Sequence, residues 1–127
     1  MYKYLNLNPN DKRVGDCVKR AFSCAENKDY RIVALELNRL KKETGCRNFN
    51  DNKNWKEYIK RQNYEKLSFP AEKGKPRMNG ERFSEIFNKG SYILRMAGHL
   101  SACVDGVIYD TWDCSYKCVY NAWKVRD

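Results

Sequence analysis

Four residues of this chain have types and spacings that could do covalent chemistry together. His99 is its one histidine, and it opens the stretch HLSACVDGVIYDTW (99–112). Asp105-Gly106 in the middle is a strong hairpin signal, because a two-residue type I′ turn needs positive φ at both central positions. A turn there pairs Val104 with Val107, Cys103 with Ile108, Ala102 with Tyr109, Ser101 with Asp110, Leu100 with Thr111 and His99 with Trp112. Paired residues share a face and faces alternate along a strand, so His99, Ser101, Asp110 and Trp112 fall on one side. His99 and Asp110 are then diagonal neighbours, about 7–8 Å apart at the backbone and within side-chain reach. Asp110 can accept a hydrogen bond from one imidazole nitrogen and leave the other free, with Trp112 placed to shield the bond. An oriented, shielded imidazole is what a general base requires.

The fourth residue is Cys17, in VGDCVKRAF. Asp16 is a good helix N-cap, which puts Cys17 in the first turn. Partial positive charge at a helix start lowers a thiol pKa, and a nearby imidazolium lowers it further. Of the other cysteines, Cys24 falls inside the same helix and Cys103 inside a strand.

The elements that must position these residues follow from periodicity. A first helix is expected over about Cys17 to Glu26, with Val18, Ala21, Phe22 and Ala25 at helical spacing. Asp29 caps a second, YRIVALELNRLKKETG, ended by Gly45. NKNWKEYIKRQNYEKL reads as a third helix, SFPAEKGKPRMNG as a surface loop and ERFSEIFNKG as a short helix. From Ser91, the segments SYILRMAG, HLSACVDG, VIYDTWD and KCVYNAWKV read as strands, and residues 1–15 as a short strand or loop. Helices followed by an antiparallel sheet define an α+β fold, expected as a single domain over residues 1–127.

Cysteine at a helix start, then more helices, then a histidine opening a strand, then Asp-x-Trp on the next strand: this order resembles the papain-like cysteine peptidases. It is similar above all to small bacterial or phage-type members, including bacteriocin-processing peptidases. GDC, GH and YDTW carry the resemblance. It implies a papain-like α+β domain, N-terminal helices packed on a C-terminal antiparallel sheet, with the nucleophile at the start of the first helix. It also implies a cysteine hydrolase cleaving a peptide or related amide bond, with Cys17 as nucleophile, His99 as general base and acid, Asp110 as orienting group and Trp112 as shield. Many members carry a glutamine six residues before the nucleophile as an oxyanion-hole donor. Here that position is Asp11, a poor donor when ionised, and Asn10 is the nearest amide. No cofactor is expected.

Composition bounds the alternatives. The chain is 42% hydrophobic and 13% aromatic, enough for a core and against general disorder. No apolar run approaches the roughly 18 residues of a membrane span, and the N-terminus lacks a signal-peptide pattern. The chain therefore reads as cytoplasmic, or host-cytoplasmic for a viral protein, with its six cysteines free. The net charge of +9 predicts attraction to acidic surfaces, whether protein, nucleic acid or lipid. Joined to the peptide or protein substrate that the resemblance implies, it gives an expectation of acidic residues around the scissile bond. A second hypothesis is a non-catalytic basic binding or inhibitor protein, of phage type, on the same scaffold and directed at an acidic protein or nucleic acid. Basic residues between Arg39 and Arg77 interleave with Trp55, Tyr58 and Tyr64, a mixture that can grip phosphates and stack bases. Trp55, Tyr58 and Ile59 also fit one helical stripe, which favours core aromatics with a solvated charged face over a nucleic-acid surface. A zinc site from His99, Cys103, Cys114 and Cys118 is disfavoured, since positions 99 and 103 of one strand lie about 13 Å apart.

Overall fold

The computed structural model describes residues 1–10 and 15–127. In chain order the elements are β1 (Tyr2–Tyr4), α1 (Cys17–Glu26), α2 (Tyr30–Thr44), α3 (Asn52–Gln62), β2 (Glu65–Ser68), α4 (Gly80–Ile86), β3 (Ser91–Met96), β4 (His99–Val104), β5 (Val107–Asp110) and β6 (Asn121–Arg126). Local chemistry sets the boundaries. The Asp29 carboxylate accepts the Arg31 N–H at 2.8 Å to start α2, and Asn79 does the same for Arg82 at α4. Asn27, Gly45 and Asn63 each adopt the left-handed conformation that ends a helix.

Asn63 corrects one sequence reading. The helix expected to run through Leu67 stops at Gln62, and Glu65–Ser68 turns back as a strand. The expected sheet is also larger and less uniform. Among the described residues it has six strands in the order β1-β5-β4-β3-β6-β2. β1 runs parallel to β5, so the sheet is mixed rather than antiparallel. The α+β class holds.

Both faces of the sheet are covered, which explains the near-continuous burial of β3 and β4. On one face α1, α2 and α3 bury Phe22, Val33, Leu37 and Trp55 against Ile93, Leu100, Ala102 and Trp123. On the other, α4 and the C-terminal loops bury Phe83, Cys114 and Val119 against Tyr92, Leu94 and Cys103. The alternation of strand side chains divides the two cores. Phe22 stacks on Tyr58 with ring centroids 4.7 Å apart, tying α1 to α3. Burying a side chain of that size contributes roughly 1.5–3 kcal/mol.

The β4–β5 hairpin turns at Asp105 (φ 48°) and Gly106 (φ 79°). Its pairs are Val104 with Val107, Cys103 with Ile108 and Ala102 with Tyr109, the expected register. The ladder ends at Ala102–Tyr109, so the expected Ser101–Asp110, Leu100–Thr111 and His99–Trp112 pairs are not formed as ladder pairs, and β5 itself ends at Asp110. A Cβ at Gly106 would meet the Ser84 carbonyl oxygen at 3.2 Å in a conformation that L side chains avoid. Gly106→Ala should therefore cost about 1–2 kcal/mol in urea unfolding; an unchanged midpoint would mean that this turn does not fix the hairpin.

Candidate active site

The first turn of α1 packs against the start of β4, and this contact brings Cys17 to His99. Cys17, His99 and Leu100 line one cleft, and the imidazole and the Leu100 backbone lie close enough to act on the Cys17 thiol. On the far side of the ring, His99 Nε2 donates to Asp110 Oδ2 at 2.7 Å, which leaves Nδ1 for Cys17. The Trp112 ring covers the imidazole, centroids 4.9 Å apart and planes tilted by 49°. His99, Asp110 and Trp112, predicted from the hairpin register, thus come together with Cys17, predicted from its helix-start context.

The Asp110 carboxylate is the most heavily bonded group in the site. Oδ2 also accepts the Ser101 hydroxyl at 2.7 Å, and Oδ1 accepts the Thr111 N–H at 2.8 Å. Cys114 Sγ lies 3.5 Å from Oδ2 and 3.6 Å from Ser101 Oγ. Arg20 Nη2 lies 3.7 Å from Oδ1. The same guanidinium pairs with Asp16, whose other oxygen accepts from Tyr30 at 2.7 Å and from Asn8 at 3.2 Å. A chain of polar groups with two buried carboxylates therefore runs from Tyr30 through Asp16 and Arg20 to Asp110 and His99, beside Cys17.

Because Asp16 is spent on this chain, its side chain does not cap α1. The N–H groups of the first turn are left to the cleft, with the positive end of the helix beside the Cys17 sulfur. Burial alone would push the Cys17 thiol up, but the His99 and Leu100 hydrogen bonds and the His99 charge bring it below its ordinary value. Burial also works against the imidazolium, yet the bonds with Asp110, Cys114 and Cys17 hold His99 well above its ordinary value. Asp110 is likewise kept below the usual carboxylate range, the His99 and Ser101 bonds outweighing its burial. These directions agree on a thiolate–imidazolium pair backed by an ionised aspartate. Cys24 and Cys103 lie in apolar surroundings that push them up to about 11 and about 12.

A cleft of about 340 Å³ opens over Cys17 and His99, lined also by Gly15, Asn50, Trp55 and Arg95. Asn10 is not brought to it. Asn8 Oδ1 accepts the Asn10 N–H at 2.9 Å, in a run of tight turns that sends residue 10 toward Tyr30 and Arg31 of α2. Asp11 lies outside the described residues. The amides at the cleft belong to Asn50 and Asn52, on and before α3; Asn50 Nδ2 donates to the Gly15 carbonyl and so ties this loop to the approach to Cys17.

Sequence reasoning passed over Arg20, and it weighed Cys114 only as a zinc ligand with His99, Cys103 and Cys118, not as a neighbour of Asp110. Ser101 was already placed on the correct face by the hairpin register. Arg20 could have been found at the helical spacing of four residues from Asp16. The ligating atoms of His99, Asp110 and Cys114 lie within 4.8 Å of one another, a possible metal-ligand set. At 2.7 Å, however, Nε2 and Oδ2 are closer than the roughly 3.3 Å between two ligands of one tetrahedral zinc. As arranged, they are a hydrogen-bonded pair. No helix among the described residues is long and apolar enough to cross a membrane.

No protein-family model, no curated protein and no solved structure matches this chain.

Arg20 is nearly buried between two nearly buried carboxylates. Removing its charge leaves the buried Asp16 without a cation and takes from Asp110 one of its two, His99 being the other, so Arg20→Met should lower stability by about 3 kcal/mol in urea unfolding. A loss below about 1 kcal/mol would make the Asp16–Arg20–Asp110 chain incidental.

Proposed function

We propose that the protein is a papain-like thiol hydrolase acting on a peptide or related amide bond. The observation that carries this reading is the joint arrangement of Cys17, His99 and Asp110: a thiol at a helix start, in one cleft with an imidazole whose Nε2 is fixed on a buried carboxylate. Cys17 Sγ attacks the carbonyl carbon, and the oxygen takes up the negative charge. The N–H groups at the start of α1, the Cys17 N–H first, face that developing charge. The imidazolium of His99 gives its proton to the leaving amine as the carbon–nitrogen bond breaks, leaving an acyl-thioester on Cys17. Neutral His99 then takes a proton from water as the water oxygen attacks the thioester, and the thiolate departs. Asp110 holds the ring orientation and its charge through both steps. Ser101 and Arg20 hold Asp110, and Trp112 keeps water from the His99–Asp110 bond.

The second reading is a basic binding protein on this scaffold without turnover. It is favoured by the placement of Asn10, which lines a separate hollow beside Tyr30 and Arg31 and is not among the described residues lining the cleft.

The pH dependence separates the two. The thiolate exists above the lowered Cys17 pKa and the imidazolium below the raised His99 pKa of about 11, so the pair occupies the window between them, which opens below the pH at which an ordinary thiol ionises. Iodoacetamide at pH 6, followed residue by residue by peptide mass spectrometry, should alkylate Cys17 at least tenfold faster than Cys24 or Cys103. His99→Ala should slow Cys17 about tenfold at that pH and return its profile to that of an ordinary thiol. A Cys17 no faster than an ordinary exposed thiol at pH 6, or unchanged in His99→Ala, would remove the basis for catalysis. In a digest of a mixed peptide library, cleavage by the wild type that is absent in Cys17→Ala is the expected result. Partner binding that survives Cys17→Ala with no cleavage by either protein would establish the second reading.

A further inference from the structure

Arg95 is among the residues lining the candidate cleft. This residue of β3 also lines a second concavity, of about 390 Å³, between α3 and the β6–β2 end of the sheet. Its floor is apolar, made by Ile59 and Trp123. Its walls carry Lys56 and Lys60 from α3 and Lys66 from β2, with Arg95 at the junction. No acidic residue lines it, and none of these four cations is in an ion pair among the described residues. Lys28, Arg61, Lys75 and Lys124, by contrast, each have a carboxylate partner.

The concentration has a local origin. Lys56 and Lys60 are one helical turn apart on α3, so both project along the same side. Lys66 pairs with Trp123, and Arg95 with Asn121, which brings them to the sheet face that α3 covers. Four like charges around one hollow repel one another, and an anionic occupant relieves that repulsion. Low-dielectric walls strengthen the field inside.

We propose that this groove is a docking site for an acidic peptide segment, continuous with the cleft, and that it selects substrates carrying Asp or Glu residues on one side of the reacting bond. This rests on the hydrolase reading for its link to Cys17. A peptide occupant is favoured over nucleic acid by the aromatics: Trp55 is 3% and Trp123 6% exposed, and they pack edge-to-face on each other at 5.7 Å. Neither offers the open ring face on which a base would stack. The Tyr64 hydroxyl, at the far end, is committed to Glu26. Acidic side chains need only the cationic walls, with their aliphatic carbons on the Ile59–Trp123 floor.

The test uses fluorescein-labelled hexaglutamate, hexalysine and decathymidylate, with binding read by anisotropy on wild type and on the double variant Lys56→Glu/Lys60→Glu. Both lysines are exposed, and unchanged Cys17 alkylation without peptide checks that the variant is intact. Hexaglutamate should bind at least tenfold more tightly to wild type than to the double variant, with hexalysine unbound. It should also slow Cys17 alkylation severalfold in the wild type only, since the occupied groove crowds the cleft through Arg95. Reactive Cys17 with equal hexaglutamate binding to both proteins overturns the groove and spares the hydrolase reading. Charge-dependent binding beside a Cys17 of ordinary reactivity keeps the acidic docking site but overturns its link to substrate selection. Decathymidylate binding more tightly than hexaglutamate, and lost in the same variant, replaces the peptide with nucleic acid.

Discussion

The site depends on one buried carboxylate. Asp110 is 4% exposed and carries its charge at the end of a short strand. A carboxylate in that position is costly unless donors and cations surround it. His99, Ser101 and the Thr111 N–H donate to it, and Arg20 lies beside it. Each bond serves the carboxylate and also fixes the group that makes it. His99 is held with one nitrogen toward Asp110 and the other toward Cys17. Arg20 is held toward the sheet, and with it the first turn of α1, since Asp16 completes the pair.

This accounts for how α1 begins. Asp16 has the sequence position of a capping residue but gives its side chain to Arg20, Tyr30 and Asn8. The first-turn N–H groups are left without that acceptor, next to a sulfur whose charge they favour. A helix slightly weakened at its start, with the buried ion pair as compensation, gives a polarised end facing the cleft. Local rules yield at the candidate site and are followed elsewhere, as at Asp29 and Asn79.

The hairpin was legible in the sequence because Asp105-Gly106 fixes its register within six residues, and register alone puts His99, Ser101 and Asp110 on one face. Cys17 was legible because a helix start follows from its neighbours. What failed depends on contacts distant in sequence. The strand Glu65–Ser68 continues the polar, basic pattern of α3, and only pairing with β6 makes it a strand. β1 gains its parallel place from β5, more than a hundred positions away. Asn10 was assigned by counting back from Cys17, but the bonds within residues 6–10 turn the chain toward α2. Cys114 reaches Asp110 through a loop whose path no periodicity encodes.

His99 is the one imidazole in the chain, so its titration can be followed without assignment ambiguity. The most direct measurement is the nitrogen-15 chemical shift of both ring nitrogens from pH 5 to 10, in the wild type and in Cys17→Ala. A thiolate–imidazolium pair backed by Asp110 requires a doubly protonated ring at pH 8, well above the ordinary value of about 6.5, and a lower midpoint once the thiolate is removed. A ring that loses its proton near 6.5 in both proteins would contradict the ion pair and the chemistry built on it.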